Sequence, residues 1–120
     1  MKQKLINSFK YAFTGIITAF KTEQNMKIHL LIALAVILMG ILLKISKLEW
    51  ITCLFAIIIV LAAELFNTAI ETIVDMITKE KNEKAKIAKD VSAGAVLISA
   101  IGVALVGFII FWPKILSLFC

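Results

Sequence analysis

Residues 64–75 read Glu-Leu-Phe-Asn-Thr-Ala-Ile-Glu-Thr-Ile-Val-Asp and directly follow an uncharged, mostly apolar run over residues 50–63. The residues that form a polar stripe in this stretch are Glu64, Asn67, Glu71 and Asp75. On an α-helix these four fall within roughly 60° of one another, while apolar residues cover most of the remaining surface. A carboxylate that faces lipid costs on the order of 2.5–3.5 kcal/mol or more, so the stripe must face a partner, a cation or water. The pattern predicts a membrane helix with a functional site along one face.

The composition agrees with a membrane environment. The chain has 120 residues, 62% of them hydrophobic, with a mean hydropathy of +1.02. A soluble domain of this length has too little interior to bury so much apolar surface, so a single membrane-embedded domain over residues 1–120 is expected. The formal charge is +5 without any Arg, and no basic recognition motif is present, which argues against nucleic-acid binding. The two cysteines, Cys53 and Cys120, do not suggest a disulfide framework.

The chain begins with an amphipathic segment at about residues 2–22, which contains no acidic residue. Its apolar residues cluster on roughly 120° of a helical wheel, and lysines with small polar residues take the opposite side. This is typical of a helix that lies in the membrane interface. A signal peptide is the alternative, but the segment has neither a continuous apolar core nor a convincing small-residue cleavage site.

Three spanning helices are predicted at about residues 26–43, 50–77 and 91–112, which makes the protein an all-α integral membrane protein. Trp112 and Pro113 are expected to mark the end of the third helix. That helix is rich in Gly and Ala, a composition suited to close helix packing. The connection over residues 44–49 is too short for anything but a tight hairpin, and the second connection covers residues 78–89.

Lysine placement predicts the orientation. Ten lysines lie before the first span or after the second: Lys2, Lys4, Lys10, Lys21, Lys27, Lys79, Lys81, Lys84, Lys86 and Lys89. Only Lys44, Lys47 and Lys114 lie on the other side. The positive-inside rule therefore puts the N-terminus and the second loop in the cytoplasm, where ATP and Mg²⁺ are available.

The acidic and basic residues at this face suit phosphoryl transfer, which needs a carboxylate-held metal, cations on the phosphates and a group that deprotonates the attacking hydroxyl. Glu23 and Glu71 are candidate ligands for Mg²⁺. Lys89 is expected at the start of the third helix, where it and the free helix N–H groups would bind phosphate oxygens, and Asn67 would hold phosphate or a carboxylate. Glu64, the deepest acid, is the candidate general base. No Walker loop or Gly-rich kinase loop is present.

Other interpretations remain open. Glu64 and Asn67 would also suit hydrogen bonds between helices, and Lys89 with Asp90 would also suit a helix start. Glu23 is a surface acid by default, and His29 is more often a structural hydrogen-bonding residue than a ligand. At the level of the whole protein, a small oligomeric ion transporter or channel, and a helix-packing accessory subunit, are alternatives of other classes.

Two blocks of sequence carry a family resemblance. Residues 64–75 and residues 85–97, Ala-Lys-Ile-Ala-Lys-Asp-Val-Ser-Ala-Gly-Ala-Val-Leu, resemble the prokaryotic diacylglycerol kinase family. The resemblance extends over nearly the whole chain, including the amphipathic start and the order of the spans. It implies a small three-span enzyme that forms homotrimers in the bacterial plasma membrane, with active sites shared between subunits at the cytoplasmic interface.

The resemblance also implies roles for individual residues. Glu64 matches the catalytic base, and Asn67 is its neighbour in the Glu-x-x-Asn motif. Glu71 and Glu23 are similar to the pair that holds the ATP-bound metal. The residues expected at the nucleotide are Tyr11, Glu23, Asn67, Glu71, Glu80, Lys81, Asn82, Lys89 and Asp90, with weaker matches at Tyr11 and in the loop.

Several positions depart from the diacylglycerol-specific enzymes. Lys4 stands where these have Arg, His29 where they have an acidic residue, and Ala12 where they have a small hydroxyl residue. Residues 23–29 resemble instead the branch from Gram-positive bacteria whose members phosphorylate undecaprenol. The expected reaction is therefore ATP-dependent phosphorylation of undecaprenol, with diacylglycerol as the alternative acceptor.

Overall fold

The computed structural model describes residues 1–120 as four helices without strands. The helices are α1 (Lys2–Thr22), α2 (Gln24–Leu42), α3 (Lys47–Ile77) and α4 (Glu83–Phe119). Helices α2, α3 and α4 are each long and apolar enough to cross a membrane. The predicted all-α membrane architecture, a surface helix followed by three long apolar helices, is confirmed.

The α2–α3 connection is a four-residue turn, short as the sequence predicted. Lys44 adopts a left-handed backbone conformation with φ 52°, which reverses the chain. Ser46 then caps α3, because its hydroxyl accepts a hydrogen bond from the backbone N–H of Glu49 (3.2 Å). The Glu49 carboxylate accepts in return from the backbone N–H of Ser46 (2.9 Å). This reciprocal capping box fixes the start of α3.

Helix α4 is longer than predicted at both ends. It begins at Glu83 because the Asn82 side chain accepts hydrogen bonds from the backbone N–H groups of Lys84 (2.9 Å) and Ala85 (3.1 Å). The expectation that the helix ends at Trp112 is wrong, since α4 passes through Pro113 and continues to Phe119. Proline removes one backbone donor, and the helix resumes its hydrogen bonding beyond that position.

Packing within the chain is sparse. Helices α3 and α4 make the most extensive contact, α2 packs less closely on α3, and α1 touches both α2 and α3. Only 12 of the 120 residues are buried, so lipid or other subunits must cover most of the apolar surface. The apolar core lies near the α2–α3 turn and consists of Ile45, Cys53, Ile110 and Phe111. The apolar face of α1 is exposed, as expected of a helix that lies on a membrane.

Gly40 permits the close approach of α2 to the α3 turn. A Cβ atom built at Gly40 would lie 2.7 Å from the Trp50 ring and 3.0 Å from the Ile45 side chain. We therefore expect Gly40→Ala to destabilise the protein by about 1–3 kcal/mol, the typical cost of overpacking. Thermal unfolding in detergent measures this effect. Gly107→Ala is the matched control, because nothing lies within 4 Å of a Cβ at that position. Equal stability of the two variants would contradict the prediction.

Candidate functional site

The polar stripe of α3 runs from a buried end to an exposed end. The exposed fraction is 1% for Glu64 and 8% for Asn67, whereas Glu71 is half-buried and Asp75 is exposed. Glu64 and Asn67 are therefore two of only 12 buried residues in the chain. The stripe predicted from the helical spacing is confirmed, and it leads from the protein interior toward the α3–α4 loop.

A chain of hydrogen bonds joins the middle of the stripe to α4. The hydroxyl of Ser92, itself buried, donates to the Asn67 side-chain oxygen at 2.6 Å. The Asn67 amide nitrogen donates to Glu71 Oε1 at 3.3 Å. Ser92 thus fixes the orientation of the Asn67 amide, and Asn67 in turn holds one oxygen of Glu71. The second oxygen of Glu71 remains available to a ligand.

Lys89 lies opposite Asp75 at the exposed end of the stripe. Its Nζ lies 2.5 Å from Asp75 Oδ1, so the side chain crosses from α4 to α3. Lys89 lies on α4 just before the apolar part of that helix. Its hydrogen bond to Asp75 raises the pKa of the Lys89 ammonium above its usual value. The prediction that Lys89 lies at the helix start is wrong, because α4 already begins six residues earlier at Glu83. Lys89 can offer its ammonium to a phosphate, but free helix N–H groups are not beside it.

A cavity of about 550 Å³ opens between the ends of α3 and α4. Five of the residues that the resemblance places at the nucleotide line it: Glu80, Lys81, Asn82, Lys89 and Asp90. Its volume lies in the range of small-molecule sites, roughly 300–1,000 Å³. In the structure Asp90 pairs with Lys86 at 2.6 Å. We call this space, between the ends of α3 and α4, the mouth cavity.

Tyr11 does not lie at the mouth cavity. It is 68% exposed and borders a shallow apolar groove between α1 and α3, together with Gly15, Leu65 and Thr68. The structure therefore places Tyr11 beside Leu65 and Thr68 of α3 but does not bring it together with Lys89 or the loop.

Glu23 and Glu71 were predicted to hold a metal ion. Glu23 is the half-buried residue between α1 and α2, where its extended backbone (φ −103°, ψ 118°) turns the chain. No group of three or more His, Cys, Asp or Glu side chains is arranged to hold a metal ion alone. Mg²⁺ commonly binds through one or two carboxylates together with phosphate oxygens and water. A metal ion at Glu23 or Glu71 would therefore need phosphate oxygens and water as its remaining ligands.

Two residues near the stripe were not singled out from the sequence as parts of the site. Ser92 belongs to the matching block over residues 85–97, and a hydroxyl inside an apolar helix is a signal that it has a polar partner. His29 was expected to be a structural hydrogen-bonding residue more often than a ligand. Its Nε2 lies 3.2 Å from Glu64 Oε1, and it borders a narrow apolar slot of about 120 Å³ between α2, α3 and α4.

Comparison with known proteins identifies relatives along most of the chain. The profile of a family described as prokaryotic diacylglycerol kinase matches residues 10–111. An undecaprenol kinase from Bacillus subtilis is 39% identical over 93% of this chain and 91% of its own length. A diacylglycerol kinase from Synechocystis sp. is 40% identical over 95% of this chain and 66% of its own length. A diacylglycerol kinase from Haemophilus influenzae is 37% identical over 90% of this chain and 92% of its own length.

These similarities decide between the classes of function that the sequence left open. The relatives are kinases that act on lipid alcohols, so a lipid kinase is supported and the transporter and accessory-subunit alternatives are not. A kinase of this kind uses a nucleotide and a membrane lipid as its two substrates. The chain belongs to the prokaryotic diacylglycerol kinase family and is a membrane-embedded lipid kinase.

Proposed function

We propose that the protein transfers the γ-phosphoryl group of Mg²⁺–ATP to undecaprenol and so produces undecaprenyl phosphate. The observation that carries this proposal is the buried carboxylate of Glu64, at the inner end of a polar stripe whose outer end meets the mouth cavity. A nucleotide in the mouth cavity and a lipid hydroxyl at the depth of Glu64 would approach the stripe from opposite ends. This arrangement suits a reaction between a water-soluble substrate and a membrane-embedded one.

Glu64 acts as the general base in this proposal. The lipid hydroxyl oxygen attacks the γ-phosphorus, the bond from that phosphorus to the β–γ bridging oxygen breaks, and ADP leaves. Glu64 takes the hydroxyl proton, so the products are the lipid phosphate, ADP and a protonated carboxyl group. Lys89 exchanges its contact with Asp75 for a phosphate oxygen. Glu80, Lys81, Asn82 and Asp90 bind the rest of the nucleotide at the mouth cavity, whereas Tyr11 borders the separate groove between α1 and α3 and does not line that cavity.

Glu23 and Glu71 would hold the metal ion. Mg²⁺ shared with the nucleotide would neutralise charge on the phosphate oxygens during transfer. Asn67 and Ser92 keep Glu71 in place through the hydrogen-bond chain described above. These residues therefore serve the nucleotide side of the reaction, whereas Glu64 serves the lipid side.

The acceptor is proposed from two kinds of similarity. Residues 23–29 resemble the undecaprenol kinase branch, and the Bacillus subtilis relative named undecaprenol kinase matches this chain over nearly its full length. The second candidate acceptor is diacylglycerol, because the relatives from Synechocystis sp. and Haemophilus influenzae carry that name.

We further propose that the N-terminus and the α3–α4 loop face the cytoplasm and that three copies of the chain share their active sites. Lysine placement supports the orientation, since ten of the 13 lysines lie on that side. Support for the trimer comes from the resemblance and from the large exposed apolar surface of α2, α3 and α4. Cross-linking in native membranes and labelling of Asp75→Cys from either side test these two proposals.

The experiment that tests the function is a competition between lipids. Purified protein in lipid bilayers receives ATP, Mg²⁺, undecaprenol and diacylglycerol at equal mole fraction. Preferential formation of undecaprenyl phosphate is the expected result. Preferential formation of phosphatidic acid would establish the second candidate, and no phosphorylation of either lipid would overturn the proposal.

Ser92→Ala tests the hydrogen-bond chain. The substitution leaves the buried Asn67 oxygen without its donor, which costs about 1–3 kcal/mol. Because Asn67 positions Glu71, we expect kcat to fall about tenfold, equivalent to about 1.4 kcal/mol, and the Mg²⁺ requirement to rise. Steady-state kinetics at several Mg²⁺ concentrations measure both effects. Ser99→Ala is the control, because the Ser99 hydroxyl bonds only to the carbonyl of Ala95 in its own helix (2.9 Å). Similar rates for both variants would contradict the assigned role.

A further inference from the structure

Glu64 has a polar neighbour on another helix, His29, to which the proposed reaction assigns no role. His29 Nε2 of α2 lies 3.2 Å from Glu64 Oε1, and the exposed fractions of the two side chains are 15% and 1%. This contact joins two sequence-distant residues across the α2–α3 interface. Both belong to the small polar part of an otherwise apolar protein interior.

Glu64 Oε1 has no hydrogen-bond partner in its present geometry. The His29 nitrogen is within hydrogen-bond distance of it but is not aligned for a hydrogen bond. An ionised carboxylate in an apolar environment needs donors to remain charged, and a general base must be charged before it can accept a proton. A small rotation of the imidazole would supply the missing donor.

No other basic residue of the chain contacts Glu64 Oε1. The other ionisable residues of the four helices are Lys2, Lys4, Lys10, Tyr11 and Lys21 on α1, Lys27 on α2, Lys47, Glu49, Cys53, Glu71 and Asp75 on α3, and Glu83, Lys84, Lys86, Lys89, Asp90 and Lys114 on α4, and Glu23 lies between α1 and α2. None of them forms an ion pair with His29 or Glu64, and the Asn67 amide donates to Glu71 instead. His29 is the one basic residue that contacts Glu64 Oε1.

We propose that His29 is the positioning residue of the catalytic base: its Nε2–H donates to Glu64 Oε1, holds the carboxylate in its ionised form and directs the other oxygen to the lipid hydroxyl. Both the neutral imidazole protonated on Nε2 and the imidazolium provide this donor. The inference rests on the proposed role of Glu64 and deepens it. It applies to any lipid alcohol that reaches Glu64.

The position of His29 also suits an acceptor chain. His29 lies at one end of the apolar slot, which continues between the helices past Ala33 and Val60 toward Ala104. A lipid whose hydroxyl lies at Glu64 would therefore have the apolar slot next to its chain, and His29 would be the polar side chain beside the base. Removal of the imidazole should affect the lipid side of the reaction and leave nucleotide binding unchanged.

The test compares substitutions with and without a donor. His29→Leu and His29→Met remove the donor, whereas His29→Gln keeps an N–H group near the same place. For the donorless variants we expect kcat to fall at least about tenfold at neutral pH and the acid limb of the kcat–pH profile to move up by about one to two pH units. His29→Gln should recover most of the rate and keep the limb near its original position. The KM for ATP should stay within twofold in all three.

The control is Met26→Leu, a volume-conserving change at a fully buried residue of the same helix. It should leave the rate and the pH profile unchanged, and thermal unfolding of every variant identifies any general damage to α2. If His29→Leu unfolds, His29→Met supplies the donorless measurement. A lowered rate with an unshifted acid limb, or no advantage of Gln over Leu and Met, would overturn the role of His29.

The same experiment separates this inference from the proposed function. The assay uses whichever lipid the wild-type protein phosphorylates, so an error in the acceptor leaves the test of His29 intact. If Glu64→Gln retains wild-type turnover, Glu64 is not the base and the inference falls with it. If Glu64→Gln is inactive and the His29 variants behave as wild type, only the inference is overturned.

Discussion

Glu64→Gln is expected to remove lipid phosphorylation while nucleotide binding is retained. The substitution preserves the size of the side chain and removes its ability to accept a proton, and a positioned general base contributes about 10²–10⁴-fold to a rate. We therefore expect kcat to fall by that factor, with the affinity for ATP within twofold of wild type. The mouth cavity, which is the proposed nucleotide site, is lined by other residues, so the substitution does not change that lining directly. Single-turnover phosphorylation and equilibrium ATP binding in lipid bilayers measure the two quantities.

Glu49→Gln is the matched control for this experiment. Glu49 lies on the same helix at the opposite end, where it caps α3 and pairs with Lys114 at 3.2 Å. Glutamine also serves in a capping box, so the start of α3 should be preserved. We expect wild-type kcat with slightly reduced thermal stability. Retention of the wild-type rate by Glu64→Gln would show that another group accepts the proton.

The parts of the protein that depend on local sequence were predicted well. Helical spacing placed Glu64 and Asn67 on one face, and the cost of an acid in lipid predicted that this face is sheltered. The structure agrees, with both residues buried. The spans followed from the lengths of the apolar runs, because an apolar helix of about 20 residues has few stable environments outside a bilayer.

Helix ends were predicted less well. Pro113 was expected to end α4, because proline removes a backbone hydrogen bond and its ring crowds the preceding turn, but the helix continues beyond it to Phe119. The start of α4 was also missed, because the capping role of Asn82 is visible only once the N–H groups of Lys84 and Ala85 are seen to point at it. This error placed Lys89 wrongly at a helix start.

Contacts between helices could not be predicted from the sequence. The pairs Ser92–Asn67 and His29–Glu64 join residues 25 and 35 positions apart, and helical periodicity carries no information about which faces of two helices meet. The resemblance assigned nine residues to the nucleotide, and five of them line one cavity. It also grouped Tyr11 with them, whereas the structure puts Tyr11 at a separate groove beside α3.

Glu71→Gln is expected to raise the Mg²⁺ concentration that the reaction requires more than any other substitution at the nucleotide side. Glu71 offers a carboxylate oxygen that Asn67 does not occupy, and an amide oxygen without charge is a weaker ligand for Mg²⁺. Loss of an outer partner of a metal site costs about 10–100-fold in affinity or activity, and loss of a direct ligand should cost at least as much. We expect activity at low Mg²⁺ to fall by about 100-fold and to recover in part as Mg²⁺ is raised. The Mg²⁺ concentration for half-maximal rate at saturating ATP measures the effect.

Glu83→Gln distinguishes metal binding from a general change of charge. Glu83 is an exposed acid in the first turn of α4 that borders the mouth cavity and forms no ion pair, so its substitution also removes one negative charge there. We expect the half-maximal Mg²⁺ concentration of this variant to stay within twofold of wild type. If Glu71→Gln and Glu83→Gln shift the half-maximal Mg²⁺ concentration equally, the acidic residues of this region act on Mg²⁺–ATP only through long-range electrostatic interactions. If Glu71→Gln lowers the rate by a factor that does not depend on Mg²⁺, Glu71 is not a metal ligand, and the hydrogen-bond chain from Ser92 would then position it for contact with the nucleotide itself.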